Sequence, residues 1–350
     1  MDFVIAGEAV APGERRIIAI PVSQDVTGLS ARLSLQVLHG TKPGPAVFVS
    51  GAVHGDEIVG TAIVQKLAEL LDPAQLAGTV ILAPAVNIYG FVAHSRYLPD
   101  RRDLNRSFPG SERGSLASQL ANCFLTHVIE TCDLGIDIHS AAVHRYNLPQ
   151  IRIAADNPHL TELAMAFGAP VIIESPLRDG SMRELAARRD TPMLLLEAGE
   201  ALRFDHYSLE IGASGVLKVL AHLEMIAMDD GLASVMVPFR ANRSSWVRSP
   251  RGGVSQRSHQ SGDVVRKGDV LARVGGLFGE DAEDVVSPID GMIIGHATLP
   301  VVNQGDALFH IAEITNLDRA GRHADSLIEA INISAPPFPA EPLADEDEVD

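Results

Sequence analysis

The chain has 350 residues, 46% of them hydrophobic and 21% charged, with a formal net charge of −17. That length exceeds most single cores, so one large domain plus a smaller one is expected. The acidic balance argues against a nucleic-acid partner, and no apolar run approaches the roughly 18 residues needed to cross a membrane.

The first eight residues lack the basic-then-apolar pattern of a signal peptide, so a cytoplasmic location is expected. Cys123 and Cys132 are too far apart for a Cys-x-x-Cys site and fall in or at the end of one predicted helix. They read as core thiols in a reducing compartment.

In chain order, residues 1–40 read as β, with apolar runs over 15–22 and 31–38. A buried strand is predicted at 46–50 and an amphipathic helix over 58–71. Between them lies a glycine-flanked turn with His54 and Glu57. A His-x-x-Glu pair on such a turn can supply two of the three protein ligands of a catalytic zinc. A second apolar strand follows at 79–85, then a long polar loop over 86–114. A loop of that length inside a compact domain points to function. Ser115 can cap a helix running to about 131.

Further strands are predicted at 134–138, ending at His139, at 151–154, at 171–174 and at 193–196, ending at Glu197. Helices are predicted to open at Asn157-Pro158, to cover 181–189, and to cover most of 207–227 with an interruption at 212–215. This alternation, with near-continuous apolar strands, predicts an α/β fold with a mostly parallel mixed sheet flanked by helices.

After 231 the pattern changes to short Val/Ile/Leu runs and many glycines. A weak repeat relates residues 262–271 to 302–309. The stretch is similar to the two-halved barrel-sandwich of biotinyl and lipoyl carrier domains. Those carriers place a modifiable lysine between the halves, whereas 275–285 holds none, so a structural all-β module is expected. Residues 319–334 are read as a terminal helix, and 336–350 as an acidic, disordered tail. The expected units are an N-terminal β segment (1–40), a catalytic domain (41–230), the β module (231–318) and the helix with its tail (319–350).

His54, His139 and Glu197 all fall at or just past the carboxyl ends of predicted parallel strands, where ligand crevices of open α/β sheets lie. Two imidazoles and one carboxylate make a three-ligand zinc site, and a second carboxylate can take a proton from water. Each residue alone has a plainer reading: a chance His-x-x-Glu, a satisfied polar strand end, or a glutamate meeting an arginine. Their joint placement favours the site. The loop adds Arg96, Arg101, Arg102 and Arg106 beside Asn105, and guanidinium forks suit carboxylates. Arg101 reads as a surface ion-pair partner, and Arg106 as a ligand-binding group.

The ordered set Gly51-Ala52-Val53-His54-Gly55-Asp56-Glu57, Asp103-Leu104-Asn105-Arg106-Ser107-Phe108-Pro109-Gly110, Asp137-Ile138-His139-Ser140 and Leu196-Glu197-Ala198-Gly199-Glu200 resembles the succinylglutamate desuccinylase/aspartoacylase family of the zinc carboxypeptidase-like superfamily. The resemblance runs from about residue 40 to 230. It implies one Zn2+ per subunit held by His54, Glu57 and His139, with Glu197 as general base. It further implies Asn105 and Arg106 on the substrate carboxylate, and Arg96 polarising the scissile carbonyl. Asp137 would orient a ligand histidine, and Arg183 is a looser match to a further substrate arginine. Arg101 stands where many relatives carry glycine, and the 197–205 segment departs from true desuccinylases and aspartoacylases.

The implied activity is zinc-dependent hydrolysis of the amide of a small N-acyl amino acid, by a homo-oligomer on family analogy. A zinc carboxypeptidase acting on peptides is the near alternative. A non-catalytic metal-binding or carrier-like protein is the distant one.

Overall fold

The structure, a computed structural model, describes residues 1–24, 30–228 and 238–314. The predicted terminal helix and acidic tail lie outside the described residues. Strands β1 (Phe3–Ile5) and β2 (Glu8–Val10) form a small hairpin of their own. The main sheet begins with β3 (Arg15–Gln24), β4 (Ser30–His39) and β5 (Lys42–Gly51), followed by α1 (Val59–Leu70) and β6 (Ala77–Ala83). The next elements are α2 (Ile88–Val92), α3 (Leu116–His127), β7 (Leu134–Ala141) and β8 (Arg145–Ile153). After these come α4 (Pro158–Phe167), β9 (Val171–Glu174), α5 (Met182–Arg188), β10 (Met193–Glu200) and α6 (His206–His222).

At the centre, β6, β5, β7 and β10 pair in parallel. β4 and β3 extend this ladder antiparallel on one side, and β8 pairs antiparallel with β10 on the other. Alternate strand residues serve two cores. Val47, Val49, Ile136, Ile138, Leu194 and Leu196 face α1, α4 and α6. Phe48 faces α3, where its ring meets Phe124 edge-on at 5.6 Å. Asp137, His139 and Glu197 alternate with the first set, so they emerge on the α3 face at the carboxyl edge.

The C-terminal module comprises β11 (Phe239–Ala241), β12 (Ser244–Arg248), β13 (Gly253–Arg257), β14 (Val264–Val265), β15 (Val270–Gly275), β16 (Glu283–Val286), β17 (Gly291–Ala297), β18 (Val301–Val302) and β19 (Ala307–Glu313). Strands β16, β15, β13 and β18 form one sheet. The other, β12–β19–β17, continues directly onto the main sheet through Gly295↔Asn147, His296↔Tyr146 and Ala297↔Arg145. The two layers bury Leu271, Val274, Ile293, Phe309 and Ile311 between them. The sequence repeat is a repeated turn. Arg266 N–H donates to Asp269 Oδ2, and Asn303 N–H to Asp306 Oδ2, both at 2.8 Å. The third turn residue is Gly268 or Gly305 at positive φ, as type II turns require. Gln260 and Asp263 make the same turn a third time.

Three local expectations change. The strand predicted at 151–154 starts at Arg145. Pro149 hid it, and that proline sits where two residues of β8 oppose one of β10, a bulge that spares a ladder donor. Loop 86–114 contains α2 and a one-turn 3-10 helix at Leu104–Arg106. Helix α6 runs unbroken through Gly212 and Gly215. A Cβ there would stand 2.3 Å from Ile63 and 2.1 Å from Phe167, so these glycines permit close packing and do not interrupt the helix.

Candidate active site

The site is built on the turn after β5. Glu57 N–H closes it by donating to His54 O at 3.1 Å. Gly55 lets the turn press against α2, since a Cβ there would lie 2.0 Å from the Gly90 carbonyl carbon. His54 and Glu57 are thereby fixed at 4% and 2% exposure.

The two Glu57 oxygens each face one imidazole. His54 Nδ1 lies 2.7 Å from Oε1, and His139 Nδ1 lies 2.6 Å from Oε2. Behind them, His54 Nε2 is 3.1 Å from Asp103, and His139 Nε2 is 2.8 Å from Asp137, which accepts from Ser50 Oγ. Burial opposes charge on His54, but Glu57 and Asp103 outweigh it and hold the imidazole pKa above its ordinary value. His139 is pushed further up against the same burial by Asp137 and Glu57. Burial also opposes the Glu57 anion, yet the two imidazoles hold its carboxyl well below the usual carboxylate range.

This donor set fits a divalent cation. One potential ligand atom from each of His54, Glu57 and His139 lies within 4.8 Å of the others. Three carboxylates surround two imidazoles, and a neutral imidazole has only one N–H to offer. Each histidine backed by a carboxylate is the arrangement that orients metal-ligating imidazoles.

Beside this cluster lies a cavity of about 210 Å³, lined by Glu197, Asn105 and six arginines among others. Glu197 is the register neighbour of His139 across the β10–β7 ladder. Its Oε2 accepts from Asn147 Nδ2 at 2.9 Å. Arg96 bridges Glu57 at 3.0 Å and Asp103 at 3.2 Å. Asn105 Oδ1 accepts from Met182 N–H at the start of α5, at 2.9 Å, which leaves its NH2 as the donor end. Arg106 donates to the Asn105 carbonyl and lines the cavity. His54, Glu57, Arg96, Asn105, Arg106, Asp137, His139 and Glu197 therefore meet at this edge. Arg183 lines the cavity too and donates to Ser175 and Pro176 O. Burial, with the like charges of Arg152 and Arg178, pushes its pKa down to about 10. Arg101 stays outside, at an exposed turn.

Sequence reasoning missed Asn147, Arg145, Arg152, Arg178 and Trp246, all lining the cavity. Trp246 comes from β12 and stacks on His310 at 4.1 Å, with Arg145 5.7 Å above its ring. No local motif marks these positions. The two cysteines lie elsewhere as free thiols, pushed up by burial to about 11 and about 12.

Fold and site together define an α/β protein with a candidate metal centre at the carboxyl edge of its parallel strands. The chain belongs to the succinylglutamate desuccinylase/aspartoacylase family, whose catalytic-domain model matches residues 43–223. It is 28% identical over 316 residues to the N-alpha-acetyl-L-2,4-diaminobutyric acid deacetylase of Halomonas elongata, covering 85% of this chain and 90% of that one. Among solved structures, a succinylglutamate desuccinylase/aspartoacylase from Rhodobacter sphaeroides superposes with a TM-score of 0.76 at 28% identity, covering 86% of this chain and 96% of that chain. The ectoine utilization protein EutE from Ruegeria pomeroyi shares the fold, with a TM-score of 0.77 at 24% identity over 86% of this chain and 95% of its own.

Proposed function

We propose that this protein is a zinc-dependent deacylase that hydrolyses the amide bond of a small N-acyl amino acid or a related carboxylate-bearing amide. The observation that carries the reading is the placement of Glu197 beside His139, in the wall of an arginine-lined cavity. The deacetylase name of the Halomonas relative supports the same bond type.

His54, Glu57 and His139 would hold one zinc per subunit. Bound there, zinc supplies a Lewis acid for the carbonyl and lowers the pKa of water. Glu197 takes the proton of the attacking water and returns it to the leaving amine. Arg96, between Glu57 and Asp103, provides positive charge beside the developing oxyanion. Asn105 and Arg106 hold the substrate carboxylate, which orients the scissile amide. Asp137 and Asp103 fix the imidazoles.

Zinc-loaded protein should be screened by mass spectrometry against N-acetyl, N-succinyl and N-formyl amino acids, beside short peptides with free C-termini. Hydrolysis of an N-acyl amino acid and not of the peptides is expected. Cleavage of the peptides alone would establish a carboxypeptidase. No bound zinc and no turnover after zinc addition would leave a non-catalytic role.

A further inference from the structure

The two oxygens of Glu197 have different surroundings. Oε2 accepts a hydrogen bond from Asn147 Nδ2 at 2.9 Å. Oε1 faces Arg152 Nη1 across 3.8 Å, too far for a hydrogen bond. One oxygen is anchored and the other is left to meet a proton in the cavity.

Asn147 is itself held from both sides. It stands opposite Gly199 of β10 and Gly295 of β17. A carboxylate only accepts hydrogen bonds, so the NH2 end of the Asn147 amide must face Glu197. The Oδ1 end then faces β17, and it lies 2.9 Å from where a Cβ on residue 295 would stand. Glycine at 295 leaves the amide its place. The joint is reinforced three residues along β8, where buried Gln150 donates to Ile294 O at 3.3 Å.

We propose that Asn147 is the positioning residue for Glu197, and that Gly295 of the C-terminal module sets the Asn147 amide against it. The module thereby contributes to the chemistry through the sheet, besides contributing Trp246 to the cavity wall. The inference rests on Glu197 acting as the base.

The test compares wild type with Asn147→Ala, the near-isosteric Asn147→Asp and Gly295→Ala. The probes are N-alpha-acetyl-L-2,4-diaminobutyrate and N-acetyl-L-aspartate. A base displaced by a fraction of an ångström predicts a kcat loss of about 10- to 100-fold for either Asn147 variant, and about 3- to 30-fold for Gly295→Ala. KM should stay within about twofold of wild type, and zinc content should stay at that of wild type, which general unfolding would lower. Asn147→Asp places a carboxylate against Glu197 at constant size, so its loss is not a cavity effect. A kcat within about twofold of wild type for Asn147→Ala overturns the proposal, as does a raised KM at unchanged kcat, which would put the amide on the substrate. If wild type hydrolyses neither probe, the deacylase reading has failed for them, and a crystal structure of Asn147→Ala decides the positioning role separately. A Glu197 carboxylate turned away or split between conformers supports it. The same carboxylate position as in wild type sinks it.

Discussion

Glu197 and His139 are Cα partners in the parallel ladder joining β10 to β7. Neighbouring strands lie about 4.8 Å apart, and register partners project from the same face, so a carboxylate and an imidazole distant in sequence share one edge. Glu57 is occupied by the two imidazoles, whereas Glu197 has an oxygen toward the cavity. Glu197→Gln is therefore expected to lower kcat by about 10²–10⁴-fold while zinc stoichiometry stays at that of wild type. Elemental analysis with steady-state kinetics checks it. Wild-type turnover in this variant would remove Glu197 as the base.

Chelation should abolish amide hydrolysis, and zinc should restore it. His139→Ala should lose both zinc and activity, because it deletes one of the three proposed ligands and strands Asp137 and Glu57 without their shared partner. Retention of full activity in metal-free protein, with residual zinc shown to be absent, would defeat the zinc reading.

On the proposed reading, Arg106 and Asn105, both on the 3-10 turn that lines the cavity, bind the substrate carboxylate and take no part in proton transfer. Arg106→Ala is expected to raise KM about 10- to 100-fold with a smaller change in kcat, the mark of a lost charge-assisted contact to a substrate carboxylate. An unchanged KM would assign the substrate carboxylate to another of the six arginines.

The legibility of the site followed from how local each signal is. His54 and Glu57 share one turn, and His139 and Glu197 close apolar runs whose period marks strands. Asn147 belongs to the half of β8 disguised by Pro149 and its bulge, which read as loop, whereas Arg152 fell within the predicted strand at 151–154 with no local motif to mark it. Trp246 reaches the cavity only because β12, β19 and β17 extend the main sheet, a pairing that no periodicity encodes. Glycines at 212 and 215 read as a helix break because their partners, Ile63 and Phe167, are remote in sequence.

Those glycines yield a stability prediction. Gly215→Ala forces a methyl into the Phe167 ring, at 2.1 Å before relaxation. Overpacking costs about 1–3 kcal/mol, against a helix-propensity gain of about 1 kcal/mol. Net destabilisation is expected in denaturant titrations. A more stable Gly215→Ala would show that propensity governs and that the helices separate freely.

The C-terminal strands carry two histidines held neutral. Burial, with Arg152 adding to it, pushes His310 down to about 3, and burial with Arg257 pushes His296 down to about 4. His310 stacks on Trp246 and has Nε2 2.8 Å from Ser244 Oγ, while His296 Nδ1 accepts from Ser261 N–H at 3.1 Å. An unfolded histidine takes its proton near pH 6.5, so below that value the unfolded chain binds more protons than the folded one. Stability then rises with pH: the contribution is complete above about 6.5 and is lost as pH falls toward 4 for His296 and 3 for His310. Melting temperature is expected to drop between pH 6.5 and 4.5, and His310→Gln should flatten that drop by removing one titrating group. An unchanged slope in His310→Gln would mean that His310 does not govern the acid sensitivity of these strands.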